Sequence, residues 1–260
     1  MKVIDLKGRT AVVTGSTGEL GRTMVRELAN CGANVAVCYY SKEQAAQMLQ
    51  VEIEQKYGVK AVAVYVDVTD LESVDAMKEH VVEKLGHVDI IVNNSVIQYP
   101  WKSVLDQDVS DYESQFKSCV LQSVHMTKVF VPDMINRNYG RVIGINTECA
   151  MQMFESQSAY VAGKRGMDGV YRVLAKEVAK YNITVNQVAP GWIKSEKYRD
   201  ADGSESNTGQ IFAYAESVPM RRRGTDLEVA DAVCFLASDL AGFITGVYLP
   251  VCGGNVMPCI

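Results

Sequence analysis

The stretch TAVVTGSTGELGRTMVRELANCG, residues 10–32, joins a short apolar strand to a helix through a turn of small residues. A strand, a tight turn and a helix N-terminus together form an anion site, because free amide groups and the positive end of the helix dipole face the turn. A phosphate group fits such a site. Glycine-rich turns also follow strands for structural reasons alone, so this turn has to be considered together with the rest of the chain.

Apolar, β-branched runs recur along the chain and alternate with longer segments of helical period. Each run is too apolar to have one face in water, which predicts strands covered on both faces. The predicted strands are Thr10–Thr14, Val35–Tyr39, Ala61–Val66, Val88–Val92, Arg141–Ile145 and Thr184–Val188, followed by a last strand near the C-terminus. The alternation predicts an α/β fold, with one doubly wound, Rossmann-like parallel sheet of about seven strands and helices on both faces.

Helix starts are predicted by capping boxes, in which Ser or Thr is followed three residues later by Glu or Gln. The pairs are Ser41 with Gln44, Thr69 with Glu72, and Thr225 with Glu228. Apolar residues spaced by threes and fours between positions 116 and 134 predict one continuous helix stripe. No linker or repeat divides the chain, so we expect residues 1–260 to form one domain. The long segment without clear period, about 192–219, predicts a lid over a substrate site.

The composition restricts the class of protein. A net charge of −5 leaves no basic face for nucleic acid, and we interpret Arg221–Arg223 as a solvated or subunit-facing turn. None of the seven cysteines forms a CxxC pair, which predicts free thiols and no metal site. The N-terminus lacks the apolar stretch of a signal peptide, and no run approaches the roughly 20 apolar residues of a membrane span. We therefore expect a soluble, cytoplasmic protein with no membrane partner.

Several motifs, in a fixed order, resemble those of the classical short-chain dehydrogenase/reductase family. TGSTGELG at 14–21 is similar to the family's TGxxxGxG, with Glu19 in place of the middle glycine. Asp67-Val68 follows the third strand, and NNSV at 93–96 resembles NNAG after the fourth. YVAGK at 160–164 is a YxxxK motif, and APGW at 189–192 resembles the family's PG turn. ITGVYLPVCGG at 244–254 resembles its last strand, with Cys252 replacing a usual aspartate. The resemblance runs from Arg9 to Gly254 and is closest in kind to 3-oxoacyl-reductase-like members.

The resemblance implies a nicotinamide dinucleotide cofactor. The cofactor contacts it implies are Gly15, Ser16, Thr17, Glu19, Leu20, Gly21, Tyr39, Ser41, Lys42, Asp67, Val68, Asn93, Ser95, Tyr160, Lys164, Pro190, Gly191 and Ile193. NAD enzymes usually carry an acid at the end of the second strand to hold the ribose hydroxyls. Tyr39 occupies that position and Lys42 follows, so NADP(H) is favoured over NAD(H). The alternative interpretation makes Ser41 a helix cap and Lys42 a solvated first-turn residue.

Tyr160 and Lys164 are four residues apart in a segment of helical period, so their side chains project from one face. A tyrosine pKa is normally near 10, and a nearby ammonium group lowers it, which favours general acid–base work. The family also supplies a serine thirteen residues before the tyrosine, and that position is Thr147. Its hydroxyl can donate to the substrate oxygen. The family's proton-relay asparagine aligns with Cys119, a weak hydrogen-bonder, so we expect an altered or water-mediated relay.

We expect an oxidoreductase that interconverts a small ketone and a secondary alcohol by hydride transfer, with Tyr160 as general acid or base. One alternative is a cofactor-binding scaffold or regulatory protein that has lost turnover. Its support is the set of departures from the family pattern, and the intact Tyr160–Lys164 pair argues against it. The departures are Glu19, Ser95-Val96, Cys119, Thr147 and Cys252. Another is an epimerase or dehydratase of the family's extended branch, against which the chain length argues. Loop residues that could make the pocket partly apolar are Trp101, Met151, Met153, Phe154, Trp192 and Tyr198. The resemblance also implies a homotetramer or homodimer, built through helices that begin near Asp111 and Ser158.

Overall fold

The protein is described here as a computed structural model that covers residues 3–196 and 208–257, without the side chain of Thr208. Seven parallel strands form one sheet in the order β3-β2-β1-β4-β5-β6-β7. The strands are β1 Thr10–Val13, β2 Asn34–Tyr39, β3 Ala61–Tyr65, β4 Ile90–Asn93, β5 Gly140–Ile145, β6 Ile183–Pro190 and β7 Tyr248–Val251. All the predicted strands are present, with ends that differ by one or two residues, and the predicted fold class is confirmed.

The helices cover both faces of the sheet. They are α1 Glu19–Asn30, α2 Glu43–Tyr57, α3 Leu71–Leu85, α4 Val109–Gln115, α5 Gln122–Arg137, α6 Cys149–Gln152, α7 Ser158–Val178, α8 Thr208–Ser217 and α9 Asp226–Ala237. Side chains alternate between the two faces along each strand, so Ala11 and Val13 pack under α1, α2 and α9, while Val12 packs under α3, α5 and α7. Two apolar cores follow, one on each face. No helix in the described residues is long and apolar enough to cross a membrane.

The strand order reverses direction between β1 and β4. The chain moves outward from β1 through β2 to β3, and then returns to place β4 on the other side of β1. The connections after β1 and β4 therefore leave the sheet toward opposite faces, and a crevice opens between them at the carboxyl ends of the strands. The fold places its ligand cleft at this point.

Only one of the three predicted capping boxes forms. Thr225 and Glu228 cap α9 reciprocally, as expected. The prediction for α3 is wrong by one residue, because the N-cap is Asp70, whose carboxylate accepts from the Glu72 amide. The Thr69 hydroxyl instead donates to Asp67 Oδ1 at 2.7 Å, so it is not available to the helix. The prediction for α2 is also wrong, since this helix begins after Lys42 with no side-chain cap.

The predicted helix stripe between 116 and 134 is not one regular helix. A π-helical segment, Phe116–Leu121, separates α4 from α5. The wider turn shifts the register of the side chains, so Phe116 is exposed while Cys119 lies fully buried in the core beneath α5 and α7. The six cysteines in the described residues are free thiols, as predicted, and Cys259 lies outside them.

The close packing of β5 against α7 gives the first testable prediction. In Gly144→Ala the added Cβ would lie 2.9 Å from Cδ2 and 3.0 Å from Cζ of Tyr171. The ring cannot swing away freely, because its hydroxyl accepts a hydrogen bond from Asn93 Nδ2 at 2.6 Å. We expect a loss of about 1–3 kcal/mol in the free energy of unfolding, measured by urea denaturation at fixed protein concentration.

Gly169→Ala is the matched control. It lies on the exposed side of α7, where an added Cβ meets no atom within 4 Å. This substitution should raise stability by up to about 1 kcal/mol, because alanine is the better helix former. Equal stability of the Gly144 variant and the wild type would contradict the packing argument.

Candidate active site

A cleft of about 930 Å³ opens at the carboxyl ends of the strands, at the reversal between β1 and β4. Most of the residues implicated by the sequence line it. They are Gly15, Thr17, Glu19, Leu20, Gly21, Tyr39, Ser41, Lys42, Asp67, Val68, Ser95, Thr147, Tyr160, Lys164, Pro190 and Gly191. Residues far apart in the sequence therefore converge on one cavity.

The turn between β1 and α1 has the features of a phosphate site. Gly15 has a φ of +64°, a conformation that glycine adopts without strain. Gly18 precedes α1 and supplies no side-chain cap, so the first amides of the helix keep free N–H groups at the edge of the cleft. Gly21 lets the helix approach the turn, because a Cβ there would lie 2.9 Å from the carbonyl carbon of Gly15. The donor set fits the pyrophosphate of a dinucleotide.

Glu19 lies in the first turn of α1 and does not stand alone. Its Oε2 accepts from Arg22 Nη2 at 2.8 Å, and the carboxylate is about half exposed. Arg22 also bonds Glu196 at 2.6 Å, and Arg26 bonds the same Glu196 and Glu52. The ion pair therefore compensates the charge of Glu19 at the helix end where an anion would bind.

Aromatic side chains line the far end of the cleft, where β2 ends. Tyr39 and Tyr40 border it, and Tyr40 stacks on Tyr65 with ring centroids 5.9 Å apart. Ser41 and Lys42 follow and are exposed. β2 ends at Tyr39, the position where NAD enzymes usually carry the acid that binds the ribose hydroxyls.

Tyr160, Lys164 and Thr147 meet at the opposite end of the cleft. Tyr160 and Lys164 lie one helical turn apart near the start of α7 and both line the cavity. Thr147 follows β5, and its Oγ1 accepts from the Cys149 amide at 3.2 Å. The hydroxyl hydrogen of Thr147 is then available to a second acceptor. Trp101 stacks on the Tyr160 ring with ring centroids 6.0 Å apart.

The electrostatics of this pair differ from the expectation. Burial raises the pKa of Tyr160, the Cys149 thiol adds to the rise, and a hydrogen bond with Thr147 opposes it. The Lys164 ammonium donates to the Ile145 carbonyl at 2.6 Å and lies 5.8 Å from the Tyr160 ring centroid. Burial also lowers the pKa of Lys164. Tyr160 in the chain alone therefore keeps its proton at neutral pH.

Four of the implicated residues lie behind the lining of the cleft. Ser16 is fully buried, donates to the Val13 carbonyl at 2.6 Å and accepts from the Cys38 amide, which ties β1 to β2. Asn93 donates to Tyr171 beneath the sheet, and Ile193 packs against the core on the α1 side. Cys119 lies in the other core and offers the cleft no polar group. Of the proposed pocket residues, Trp101, Met153, Phe154 and Trp192 are exposed, Met151 is half-buried, and Tyr198 lies outside the described residues.

Two asparagines that the sequence analysis did not single out organise the site. Asn94 donates from Nδ2 to the carbonyls of Thr14 and Gly15, at 3.0 and 3.2 Å. Asn146 donates to the Lys164 carbonyl at 3.1 Å and to Gln187 Oε1 at 2.7 Å, which fixes the start of α7 against β5. Each asparagine directly follows a buried strand, and a polar amide at such a strand end is the feature that could have identified them.

Comparisons with known proteins agree with this geometry. A family model described as enoyl-(acyl carrier protein) reductase matches residues 16–255. The 3-oxoacyl-[acyl-carrier-protein] reductase FabG of Aquifex aeolicus is 35% identical over 251 residues, which cover 96% of this chain and 98% of that protein. The FabG of Staphylococcus aureus is 32% identical over 259 residues, with the same shares covered. A solved structure from Sinorhizobium meliloti, described as a short-chain alcohol dehydrogenase, superimposes with a TM-score of 0.88 at 29% identity and covers 98% of both chains.

The chain belongs to the short-chain dehydrogenase/reductase family. It is an NAD(P)-dependent oxidoreductase of that family, and its cleft has the size, position and amide donors that a nicotinamide dinucleotide requires.

The ion pair at the start of α1 generates a prediction about cofactor affinity. Removing the charge in Glu19→Gln removes a repulsion near the pyrophosphate, so calorimetry should show dinucleotide binding at least as tight as in wild type. Glu19→Gly should behave in the same way. Glu27→Gln, at the other end of α1, should leave affinity unchanged. Weaker binding in both Glu19 variants would show that the carboxylate contacts the cofactor productively.

Proposed function

We propose that the protein reduces a small ketone to a secondary alcohol, with Tyr160 as the proton donor. The observation that carries this proposal is the convergence of the Tyr160 phenol, the Lys164 ammonium and the Thr147 hydroxyl beside the Pro190–Gly191 turn. A tyrosine whose pKa is raised by burial is protonated at neutral pH, and a protonated group is what carbonyl reduction needs.

Each side chain has a separate task in this proposal. The bound nicotinamide supplies the hydride. Tyr160 gives its proton to the substrate oxygen, and Thr147 donates a hydrogen bond to the same oxygen, since its own lone pair is engaged by the Cys149 amide. Lys164 would hold the cofactor ribose while the Ile145 carbonyl orients its ammonium. The Trp101 ring would shield one face of the Tyr160 ring. Buried Cys119 takes no direct part, so the proton on Tyr160 is replaced through the cleft.

The pocket mouth favours a substrate with an apolar group beside its carbonyl. Trp101, Met153, Phe154 and Trp192 are exposed in the segments that follow β4, β5 and β6, at the edge of the sheet where the cleft opens, and Trp101 stacks on Tyr160. The relatives from Aquifex aeolicus and Staphylococcus aureus act on 3-oxoacyl groups carried by a protein. We therefore propose a 3-oxoacyl compound with a short apolar chain as the substrate class. The lid expected at about 192–219 stays a prediction.

We also propose that NADP(H) is the preferred cofactor. At the end of β2, Lys42 lines the cleft and supplies a cation, while the carboxylate of Glu43 is engaged by the Tyr39 side chain. A basic side chain near this position binds the phosphate by charge, while the ribose of NAD lacks that group.

A further proposal concerns the assembly of the chain into an oligomer. Tyr112, Phe116 and Leu121 border an apolar depression of about 400 Å³ where α4 and the π-helical segment meet α7. Phe116 is half exposed there. We propose that this face contacts a second copy in a homodimer or homotetramer. Light scattering after gel filtration tests it, and a monomeric wild type would overturn it.

The reaction is tested with NADPH and a panel of acetoacetyl-N-acetylcysteamine, ethyl acetoacetate, cyclohexanone and crotonyl-N-acetylcysteamine, followed by cofactor absorbance. Tyr160→Phe should lower kcat by at least about 10²-fold because the proton donor is lost, while the dissociation constant for NADPH stays nearly unchanged. Lys164→Ala should lower kcat and raise the dissociation constant for NADPH.

Tyr181→Phe removes a phenol away from the cleft and should match the wild type. Wild-type rates in Tyr160→Phe would show that another group donates the proton. Turnover of the crotonyl thioester alone would replace carbonyl reduction with reduction of a carbon–carbon double bond. No turnover of any compound by a wild type that binds NADPH would favour the scaffold alternative.

The cofactor preference is tested by titrating all four nicotinamide dinucleotides. Lys42→Ala should weaken NADP(H) by about fivefold, the size of one exposed charge pair, and should leave NAD(H) unchanged. Lys60→Ala, an exposed lysine at the other end of the strands, is the control. Tighter binding of NAD(H) by the wild type would reverse the assignment, and the Tyr39 hydroxyl would then be the expected ribose contact.

A further inference from the structure

A buried carboxylate lies directly beside the proposed substrate-binding hydroxyl. Glu148 follows Thr147 and is 3% exposed. Its amide donates to the Pro190 carbonyl at 2.9 Å, so its backbone is fixed to the end of β6. Neither the proposed chemistry nor the cofactor site uses this side chain.

The side chain of Glu148 holds three separate parts of the chain together. Oε1 accepts from the Tyr214 hydroxyl on α8 at 2.7 Å, and Oε2 accepts from Asn255 Nδ2 in the C-terminal loop at 3.1 Å. The Tyr214 oxygen in turn accepts from the Trp192 amide at 2.9 Å. We name the group formed by Glu148, Tyr214, Asn255 and the Trp192 amide the carboxylate latch.

The Pro190–Trp192 turn is shaped around the latch. An added Cβ at Gly191 would lie 2.5 Å from the Tyr214 oxygen and 2.8 Å from Glu148 Oε2. Trp192 and Tyr214 also meet edge to face, with ring centroids 5.5 Å apart. Only a residue without a side chain leaves room for both oxygens, so the close approach depends on glycine at this position.

The latch is one of two attachments of α8 to the body of the protein. The other follows the helix directly, where Val218 is buried and the Met220 amide donates to the Gly253 carbonyl at 3.2 Å. None of the residues 209–217 is itself buried, and Phe212 is mostly exposed, so directed bonds from within the helix contribute to its position. The Ser217 hydroxyl bonds only within the helix, to the Tyr214 carbonyl.

Burial of a carboxylate at this position costs desolvation free energy. Burial raises the pKa of Glu148, and the Tyr214 and Asn255 hydrogen bonds oppose the rise. In the described part of the chain these bonds come from neutral donors, and no basic side chain forms an ion pair with it. An apolar side chain would avoid the desolvation cost, so stability alone does not account for a glutamate here.

We propose that Glu148 is a positioning residue for the substrate: through Tyr214 it holds α8 and Trp192 against the substrate end of the cleft. This rests on the proposed function, because the substrate oxygen is taken to bind Thr147, the residue next to Glu148. The latch side chains do not touch the proton donor or the phosphate-binding turn between β1 and α1, although they border the Pro190–Gly191 turn. Its loss therefore changes how well the substrate is held and leaves the chemical step nearly intact.

The test uses Tyr214→Phe and Glu148→Gln in the full chain, with NADPH and ethyl acetoacetate. Tyr214→Phe removes both the donor to Glu148 and the acceptor for the Trp192 amide. Glu148→Gln turns one acceptor into an amide that faces Asn255 Nδ2, so one of the two bonds is lost. Each variant should raise KM at least about tenfold and change kcat less than about threefold, with an unchanged dissociation constant for NADPH. The double variant should resemble the worse single variant, because both act through one unit.

The controls are Ser217→Ala, which removes a hydroxyl from the same helix, and Glu155→Gln, which neutralises an exposed carboxylate in the same loop region. Both should match the wild type. A fall in kcat without a change in KM, or equal loss of NADPH binding, would overturn the positioning role.

A second readout does not depend on turnover. Hydrogen–deuterium exchange of the amides in 209–217 should be faster in Tyr214→Phe than in Ser217→Ala. Equal exchange would overturn the latch even if a substrate is found. Faster exchange together with no ketone turnover by the wild type would keep the latch as the attachment of α8 and remove the proposed function instead.

Discussion

The hydrogen bonds between the turns after β1 and β4 hold the cleft in place. Thr14 Oγ1 accepts from the amides of Asn94 and Ser95, at 2.9 and 3.1 Å, and donates to Gln122 Oε1 at 2.6 Å. Asn94 returns a side-chain bond to the Thr14 carbonyl. The two turns leave the sheet toward opposite faces, so these bonds connect them beyond the ends of the paired strands. The buried Thr14 hydroxyl thereby fixes the turn between β1 and α1 to the turn after β4 and to α5.

The sheet was predictable from the sequence because every strand in it is buried on both faces. A strand that helices cover on both faces, such as the part of β2 at Val35–Val37, is a continuous apolar run in the sequence. Its side chains alternate between the two cores. The motif positions at strand ends were predictable for the same reason, since the carboxyl ends of parallel strands share one edge. Spacing along the chain could not show, however, whether a side chain faces the cleft or is buried beneath it. Ser16 and Asn93 stand at the expected positions, yet their side chains bond beneath the cleft.

Local signals failed where a neighbouring group competed for the same bond. Thr69 has the spacing of a cap, but the Asp67 carboxylate takes its hydroxyl and Asp70 caps α3 instead. Lys164 has the spacing that lowers a tyrosine pKa, but the Ile145 carbonyl, nineteen residues earlier, takes its ammonium. The Asp67 acceptor is local, two residues before Thr69, whereas the Ile145 carbonyl is brought to Lys164 only by the fold, which a rule on spacing along the chain does not contain.

The two ends of the cleft are built from different kinds of interaction. Glu19 and Cys119 are accommodated without loss of the cleft, because Arg22 pairs with the first and the core buries the second. The substrate end is different, since Glu148, Tyr214, Trp192 and Asn255 come from four separate segments and meet only in the folded chain. The cofactor end depends mainly on backbone amides and glycines, which a short motif can encode. The proposed substrate end depends on side-chain bonds across long sequence distances, such as the bond from Tyr214 on α8 to Glu148. Selection for a new substrate would therefore change the second end while leaving the first intact.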